Sequence, residues 1–379
     1  MVVRPLKELL KDLKWLDDPV APVKEVNRPA SYIKGPSEFL SHQPGFGVDT
    51  WLDNVQKSRV FLDVIDHFMK PTTLERIRIA VLDTGYDSKT RFFSRGECRQ
   101  RILGWKDYVM PESRDGQDED GHGTHVLSVL MKMAPVANFY VARIARNTKY
   151  LSESVRNVAD AILWAANNQV DIISMSFGFQ EEPLIDGQPP ISNAILTALT
   201  SRGQRIVFFA AAANDGGNQP MRFPASNPNV IAVRSSDTLG HGAGFNPPRE
   251  ITKLDGIMTL GQHVPGVGLR QKPGPDTKAY MSGTSVSTPI AAGIAAMVLQ
   301  YIRLKRADLY VQLGESATGP NSGRIDRFFT VEGMRHLLVK MSSKASEGWH
   351  YLPGSGFLTN NPYPQAQLAD LVSWSSMKP

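Results

Sequence analysis

The chain has 379 residues, of which 41% are hydrophobic and 21% are charged. This composition excludes a disordered or fibrous protein, and the length suffices for one large globular domain or two ordinary ones. The net charge of +5 is small and is not gathered into a long basic block, so it does not require nucleic acid as a partner. Because Cys98 is the only cysteine, an internal disulfide or a cysteine-rich zinc cluster cannot form.

Residues 1–74 are predicted to form a helical amino-terminal extension. Helical patterns cover residues 6–15 and 55–68, and the stretch between them contains proline and glycine. The amino terminus mixes charged and apolar residues and lacks the apolar core of a signal peptide. Together with the single cysteine, this favours a cytoplasmic protein over a secreted one.

No membrane-spanning helix is expected. The longest apolar runs, residues 206–213 and 290–299, are roughly half of the ~20 residues that cross a bilayer. We therefore expect a soluble protein without a membrane partner.

From residue 75 the sequence predicts a mostly parallel β-sheet. Five near-continuous apolar runs are typical of strands buried on both faces, and they cover residues 77–83, 138–144, 171–178, 205–214 and 229–237. Amphipathic helical patterns lie between them at 152–168 and 192–202. This alternation predicts an α/β fold with helices on both faces of the sheet and functional residues at the carboxyl ends of the strands.

The carboxyl-terminal part is predicted to be less regular. Residues 306–328 are polar and are interpreted as a loop before a last helix at about 331–341. We place one domain at residues 75–361 and a tail at 362–379.

Asp83 directly follows the first buried strand and precedes a Thr-Gly pair that allows a sharp turn. An aspartate in such a place is commonly a turn former. The carboxyl end of a parallel strand is also where a buried carboxylate could orient a catalytic base. The residues alone leave both interpretations open.

His122 lies between two glycines at the start of a helical apolar pattern. The positive end of the helix dipole disfavours the imidazolium, which suits a general base that must stay neutral. A capping role and, with His125, part of a metal site are the alternatives. No glutamate completes an HExxH motif, so a metal-dependent hydrolase is the least favoured class and no metal is predicted. The acidic run 118–120 is predicted to be a solvated loop.

Asn214 and Ser285 also stand at the ends of predicted elements. Asn214 ends an apolar strand, where its amide could form a turn or donate to an oxyanion. Ser285 opens a strongly apolar helix, where it is either an N-cap or a nucleophile. Taken with Asp83 and His122, these residues supply a reactive serine, a base, an orienting acid and an oxyanion donor.

The motifs DTG at Asp83, HGTH at His122 and GTSVSTP around Ser285 resemble, in this order, those of the subtilisin family of serine peptidases, the subtilases. The resemblance covers residues 77–293. It implies a three-layer αβα subtilisin-like fold with a mostly parallel sheet.

The resemblance also implies the roles of the residues. Ser285 is the nucleophile, His122 the general base, Asp83 its orienting carboxylate and Asn214 the oxyanion-hole donor. The implied function is that of a serine endopeptidase that hydrolyses peptide bonds through an acyl-enzyme intermediate.

The substrate strand implied by the resemblance contains Ser176, Phe177 and Gly178, which would pair with an extended peptide by β-augmentation. Ala213 stands where the family usually has glycine, so we expect a tighter specificity pocket. Arg222 matches a position at the base of that pocket. Its side chain either swings out to solvent with its stem packed, or points inward and favours an acidic or small P1 residue.

No cofactor is predicted, because the loop that holds calcium in many family members is absent after Met133. The expected partner is an extended protein or peptide substrate, with neither nucleic acid nor membrane, and an adjacent regulatory domain is considered.

The alternative function is a catalytically restrained subtilase-like binding or effector module of a larger intracellular protein. Crowding of the pocket by Ala213 and Arg222 is the feature that supports it.

Overall fold

The structure is a computed structural model, and it describes residues 47–216, 219–248, 256–270, 276–312, 325–345 and 348–354. The helix predicted at residues 6–15 and the tail predicted at 362–379 lie outside the described residues.

The centre of the fold is a nine-stranded sheet. The strands of the described residues are β1 (Arg78–Asp83), β2 (Ile102–Asp107), β3 (Asn138–Arg143), β4 (Ile172–Met175), β5 (Val207–Ala211), β6 (Ile231–Ser236), β7 (Ile257–Leu260), β8 (Val264–Val267), β9 (Lys278–Met281), β10 (Ser343–Lys344) and β11 (His350–Tyr351). The sheet has the order β10-β11-β7-β6-β5-β4-β1-β3-β2, while β8 and β9 form a separate hairpin. Its neighbouring strands are parallel except for the β10–β11 pair, which confirms the predicted mostly parallel sheet.

The five predicted apolar runs form β1, β3, β4, β5 and β6, which are adjacent in the middle of the sheet. Four further strands extend it beyond the prediction, with β2 at one edge and β7, β11 and β10 at the other. β2 lies at the edge and is mostly half-buried, so it lacks a continuous apolar run. β7 is fully buried but has only four residues. Neither β2 nor β7 has an apolar run long enough to be predicted from the sequence.

Helices flank the sheet. Those of the described residues are α1 (Val48–Gln56), α2 (Arg59–Phe68), α3 (Arg91–Ser94), α4 (Gly96–Arg101), α5 (His122–Met133), α6 (Val155–Asn167), α7 (Pro190–Ser201), α8 (Thr284–Leu304), α9 (Arg306–Gln312) and α10 (Val331–Met341). The patterns predicted at 152–168, 192–202 and 331–341 are confirmed as α6, α7 and α10. The helical pattern predicted at 55–68 is confirmed from Arg59 to Phe68 as α2, but its first residues belong to the end of α1, and Ser58 caps α2 between them.

The segment predicted as a loop at residues 306–328 is partly helical. It contains α9, and a short 3₁₀ helix begins in it at Ile325 and continues to Phe329. Ile325 and Phe328 are buried, so these residues contribute to the core rather than to a solvated loop. Residues 313–324 lie outside the described part of the chain.

α8 is the central helix of the fold. It packs against α2, α5 and strands β4 to β7. Of the described helices it is the one long and apolar enough to cross a membrane, but its apolar window is entirely buried inside the protein. Its apolarity is therefore explained by its place between the sheet and neighbouring helices. α5 packs against α8, and the hairpin connects their amino-terminal ends: His125 of α5 contacts Val264 on β8, which pairs with Met281, three residues before α8 begins.

The described part of the amino-terminal extension belongs to the same hydrophobic core as the sheet. In α1, Trp51 is 5% exposed, and its Nε1 donates a hydrogen bond of 2.8 Å to the hydroxyl of Tyr351 on β11. In α2, Phe61 and Val64 are fully buried. The domain boundaries at residues 74 and 361 stay predictions, although α1 and α2 share one hydrophobic core with the sheet.

Replacing Trp51 with alanine tests this packing. The substitution removes a large buried ring and leaves the hydroxyl of Tyr351 without this donor, so the free energy of unfolding should fall by about 3–5 kcal/mol. Asn54→Ala, on the exposed face of the same helix, should change it by less than about 0.5 kcal/mol. Urea unfolding measures both. Equal effects of the two variants would show that α1 is not part of the cooperative core.

Candidate active site

Three of the predicted site residues follow adjacent parallel strands. Asp83 is the last residue of β1, Ser176 directly follows β4, and Asn214 lies three residues beyond β5. The register pairs Leu82 with Met175, so Asp83 and Ser176 are neighbours at the carboxyl edge of the sheet. This is the edge at which ligands bind in open α/β sheets.

His122 is the first residue of α5, as predicted, and contacts Asp83. Its Nδ1 lies 2.7 Å from Asp83 Oδ1, and the two side chains are only 3% and 2% exposed. Asp83 Oδ1 also accepts the backbone N–H of Thr84 at 2.8 Å. His122 and Asp83 therefore form a buried imidazole–carboxylate pair at the carboxyl edge of the sheet.

The two glycines around His122 make this approach possible. Gly121 has a φ of 91°, a left-handed conformation that favours glycine. At Gly123 an added Cβ would lie 2.2 Å from the carbonyl oxygen of Gly85 and 3.1 Å from Asp83 Oδ1. Any side chain at position 123 would thus push the start of α5 away from the end of β1.

Burial raises the pKa of the Asp83 carboxyl above its ordinary value, because the ionised form loses its hydration. The attraction of His122, the hydrogen bond from its ring and the N–H of Thr84 act in the opposite direction. Desolvation is the larger effect, and the attraction of His122 and the N–H of Thr84 offset only part of it.

The acidic run before His122 is a loop, as predicted, but it is only partly solvated. Asp118 is half-buried and accepts hydrogen bonds from the chain on both sides of the site. Glu119 forms a 2.7 Å ion pair with Arg143, whose side chain is fully buried at the end of β3. The signal that could have identified Asp118 is a carboxylate just ahead of a helix amino terminus, where N–H groups need acceptors.

Ser285 is the second residue of α8 and is 2% exposed. Asn214 is fixed to the turn before it, because Asn214 Oδ1 accepts the backbone N–H of Thr284 at 2.8 Å. With its oxygen held in this way, the amide presents its Nδ2 donor at the other end. The side chain of Thr284 donates to the carbonyl of Ala213 at 3.3 Å, which further ties the strand to the helix start.

The segment predicted to bind substrate leaves the sheet after β4. Ser176 is buried and Phe177 is half-buried. Among the described residues, the backbone N–H groups of Phe177 and Gly178 form no hydrogen bond with another backbone group. Pairing resumes at Phe179, whose N–H donates to the carbonyl of Phe223 at 2.6 Å and whose carbonyl accepts the N–H of Phe223 at 2.9 Å.

Arg222 lies beside this segment and is paired with an acid. Its guanidinium forms two hydrogen bonds with Asp215, at 2.5 and 2.8 Å, and a longer contact of 3.4 Å with the carbonyl of Gly178. A Cβ on Gly178 would lie 2.8 Å from the Cβ of Arg222, so the stem packs directly on that glycine. Ala213 is 5% exposed and lies two residues beyond the end of β5. Arg222 therefore lies next to the segment predicted to bind substrate, and Asp215 compensates its positive charge.

His125, the second histidine of the motif, is fully buried and faces a different element. Its Nε2 lies 3.1 Å from the carbonyl oxygen of Val264 on β8. In the part of the chain that the structure describes, no group of three or more His, Cys, Asp or Glu side chains could hold a metal ion. The contact of His125 is that of a core histidine which joins α5 to the hairpin.

Comparison with known proteins identifies the family. A family model described as the subtilase family matches residues 75–356. The chain is 28% identical over 261 residues to the subtilisin-like protease het-Q2 of Podospora anserina, covering 60% of this chain and 70% of that protein. It is 30% identical over 241 residues to subtilisin E of Bacillus subtilis, covering 60% of this chain and 56% of that protein.

The curated relatives are matched over only part of their own length, which is 54% for the M-protease of Shouchella clausii. Two solved structures share the fold. The protease domain of PatA has a TM-score of 0.55 at 23% identity, covering 81% of this chain and all of that domain. The prenylagaramide maturation protease PagA has a TM-score of 0.50 at 22% identity, covering 77% of this chain and 93% of that protein.

The two structural likenesses establish the three-layer α/β fold alone. The family assignment rests on the model match, which covers more than half of the chain and contains Asp83, His122, Asn214 and Ser285. The protein belongs to the subtilase family of serine-type peptidases.

Proposed function

We propose that the protein is a serine endopeptidase whose catalytic triad is Asp83, His122 and Ser285. The observation that carries the proposal is the buried 2.7 Å contact between His122 Nδ1 and Asp83 Oδ1, at the start of a helix that packs against the helix of Ser285. A hydrogen bond at Nδ1 fixes the tautomer in which the proton is on Nδ1 and the lone pair is on Nε2. That tautomer is the one a general base requires.

In the proposed reaction, His122 Nε2 takes the proton of the Ser285 hydroxyl as its oxygen attacks the scissile carbonyl carbon. The Asp83 carboxylate stabilises the imidazolium that forms. His122 then gives the proton to the leaving amine, which departs as the carbonyl re-forms in the acyl-enzyme. Water, activated by the same histidine, releases the acid product and restores Ser285.

Asn214 is the proposed side-chain donor to the oxyanion. Because its Oδ1 is occupied by the N–H of Thr284, its Nδ2 is oriented before substrate arrives. A donor positioned in advance need not reorganise when charge develops on the carbonyl oxygen. The backbone N–H of Ser285, in the first turn of α8, is the proposed second donor.

The proposed substrate is a protein or peptide in an extended conformation. The N–H groups of Phe177 and Gly178 lie beyond the end of β4, where an added strand could pair with them. Ala213 and the Arg222–Asp215 pair border the pocket proposed for the P1 side chain. With the charge of Arg222 already compensated by Asp215, we expect a small, uncharged P1 residue to be preferred over an acidic one.

An intracellular setting and an adjacent regulatory domain are further proposals. The only cysteine of the sequence, Cys98, is half-buried and has no second cysteine with which to form a disulfide.

A catalytically restrained binding module is the second candidate. The crowding of the substrate segment by Arg222 is the observation that favours it.

Labelling with a fluorophosphonate probe tests the proposed triad. The folded wild-type protein should gain one covalent phosphonyl group on Ser285, as detected by intact mass and peptide mapping, and EDTA should not prevent it. Ser285→Ala should not be labelled. Ser287→Ala, in the same turn of α8, should be labelled like the wild type. A folded wild-type protein that resists labelling would contradict the peptidase proposal and favour the binding module.

A P1-scanned peptide series tests the proposed pocket. In Asp215→Asn, Arg222 loses its charged partner, so the ratio of kcat/KM for a P1 glutamate over a P1 alanine should rise about tenfold. Asp160→Asn removes the same charge from an exposed site on α6 and should leave the ratio unchanged. An unchanged ratio in Asp215→Asn would show that Arg222 does not face the P1 side chain.

A further inference from the structure

We propose that Asp118 is a positioning residue, whose carboxylate fixes the end of β1 and the start of α5 so that His122 and Asp83 keep their contact. The inference rests on the proposed function, because it concerns the same pair. Among the contacts of the described residues, none joins Asp118 directly to Ser285, His122 or Asp83. It acts through the two threonines that flank them, Thr84 and Thr124.

One oxygen of the carboxylate binds the loop before α5 and the turn after β1. Asp118 Oδ1 accepts the N–H of Asp120 and the N–H of Gly121, each at 2.9 Å. It also accepts the hydroxyl of Thr84 at 3.0 Å. A single oxygen therefore joins the residue next to Asp83 to the residue next to His122.

The other oxygen binds the first turn of α5. Asp118 Oδ2 accepts both the N–H of Thr124, at 2.8 Å, and its hydroxyl, at 2.6 Å. The hydroxyl oxygen of Thr124 in turn accepts the N–H of Asp87 at 3.0 Å. This second link again connects the helix to the chain that follows β1.

Thr84 transmits the position of Asp118 to the pair. Its backbone N–H donates to Asp83 Oδ1, while its hydroxyl oxygen accepts the N–H of Gly123 at 2.9 Å and donates to Asp118. His122 lies between the anchored residues Gly121 and Gly123. Movement of Thr84 would therefore change both the carboxylate of Asp83 and the backbone that carries His122.

An ordinary helix cap does not account for these contacts. The N-cap of α5 is Gly121, which has no side chain and so offers no cap of its own. Asp118 supplies that function from three residues upstream, but it also binds Thr84 on another element. The charge of Asp118 also reaches the pair, since it contributes to the raised pKa of Asp83. The carboxylate of Asp118 therefore binds the turn after β1 and the first turn of α5 at the same time.

Asp118→Asn tests the proposal, because an amide of the same shape cannot replace the carboxylate. Whichever way the amide lies, its NH₂ group faces N–H donors, either that of Thr124 or those of Asp120 and Gly121. We expect kcat on a peptide substrate to fall by about 10- to 10²-fold with KM within about twofold of the wild type. Asp115→Asn, an exposed site on the same loop, is the matched control and should have wild-type kinetics.

Proton NMR gives a readout that does not depend on activity. The Nδ1 proton between His122 and Asp83 should give a far-downfield resonance in the wild type and in Asp115→Asn, and this resonance should shift or broaden in Asp118→Asn. If the wild type shows the resonance but hydrolyses nothing, the proposed function fails while the positioning role is still tested. An unmoved resonance with kcat within about twofold of the wild type, or equal losses in Asp115→Asn, overturns the proposal.

If Asp118→Asn does not fold, Thr84→Val decides the question. It removes only the hydroxyl that links Asp118 to Gly123, and it should lower kcat and shift the resonance in the same direction. If both variants fold, the fold-loss of kcat in the double variant should be smaller than the product of the two single fold-losses, because both substitutions interrupt the same link. Wild-type kinetics and an unmoved resonance in Thr84→Val would overturn the proposal.

Discussion

The buried contact between Asp83 and His122 is the interaction on which the arrangement of this protein depends. A carboxylate that is 2% exposed loses its hydration, and its raised pKa records that cost. The imidazole and the N–H of Thr84 compensate only if they lie at hydrogen-bonding distance. The end of β1 and the start of α5 must therefore meet closely, which explains why Gly123 has no room for a side chain.

The remaining parts of the site are connected to this contact through the central helix. α5 packs against α8, and α8 begins with the Thr284–Ser285 turn that holds Asn214. The sheet edge thus gathers an acid, a base, a serine and an amide from four separate elements. A further contact, the pairing of Arg222 with Asp215, places a charged side chain beside Gly178 while its charge is compensated, and the proposed specificity pocket rests on it.

The central strands and the helix starts were predictable because continuous apolar runs and glycine-flanked motifs are local signals. Asp83, His122 and Ser285 were identified as a set from their order and from the family resemblance. The position of Asp118 ahead of a helix start is a local signal for capping, but its contact with Thr84 and the pairing of Asp215 with Arg222 were not predictable, since the fold and not the sequence pattern brings these residues near. The strands β2 and β7 were missed for a related reason, because an edge strand and a four-residue strand carry little periodicity.

The most direct test of this account is a comparison of stability and activity in Asp83→Asn across pH. Because folding raises the pKa of Asp83, the wild type loses stability as the pH rises from 3.8 through that raised pKa, so the variant should melt at a higher temperature than the wild type at pH 7. The difference should shrink as the pH falls below 3.8, where the carboxyl is protonated in both folded and unfolded states. Activity at pH 7 should fall by about 10⁴-fold, because the amide no longer stabilises the imidazolium. A variant that is less stable at pH 7, or that keeps wild-type activity, would contradict the account.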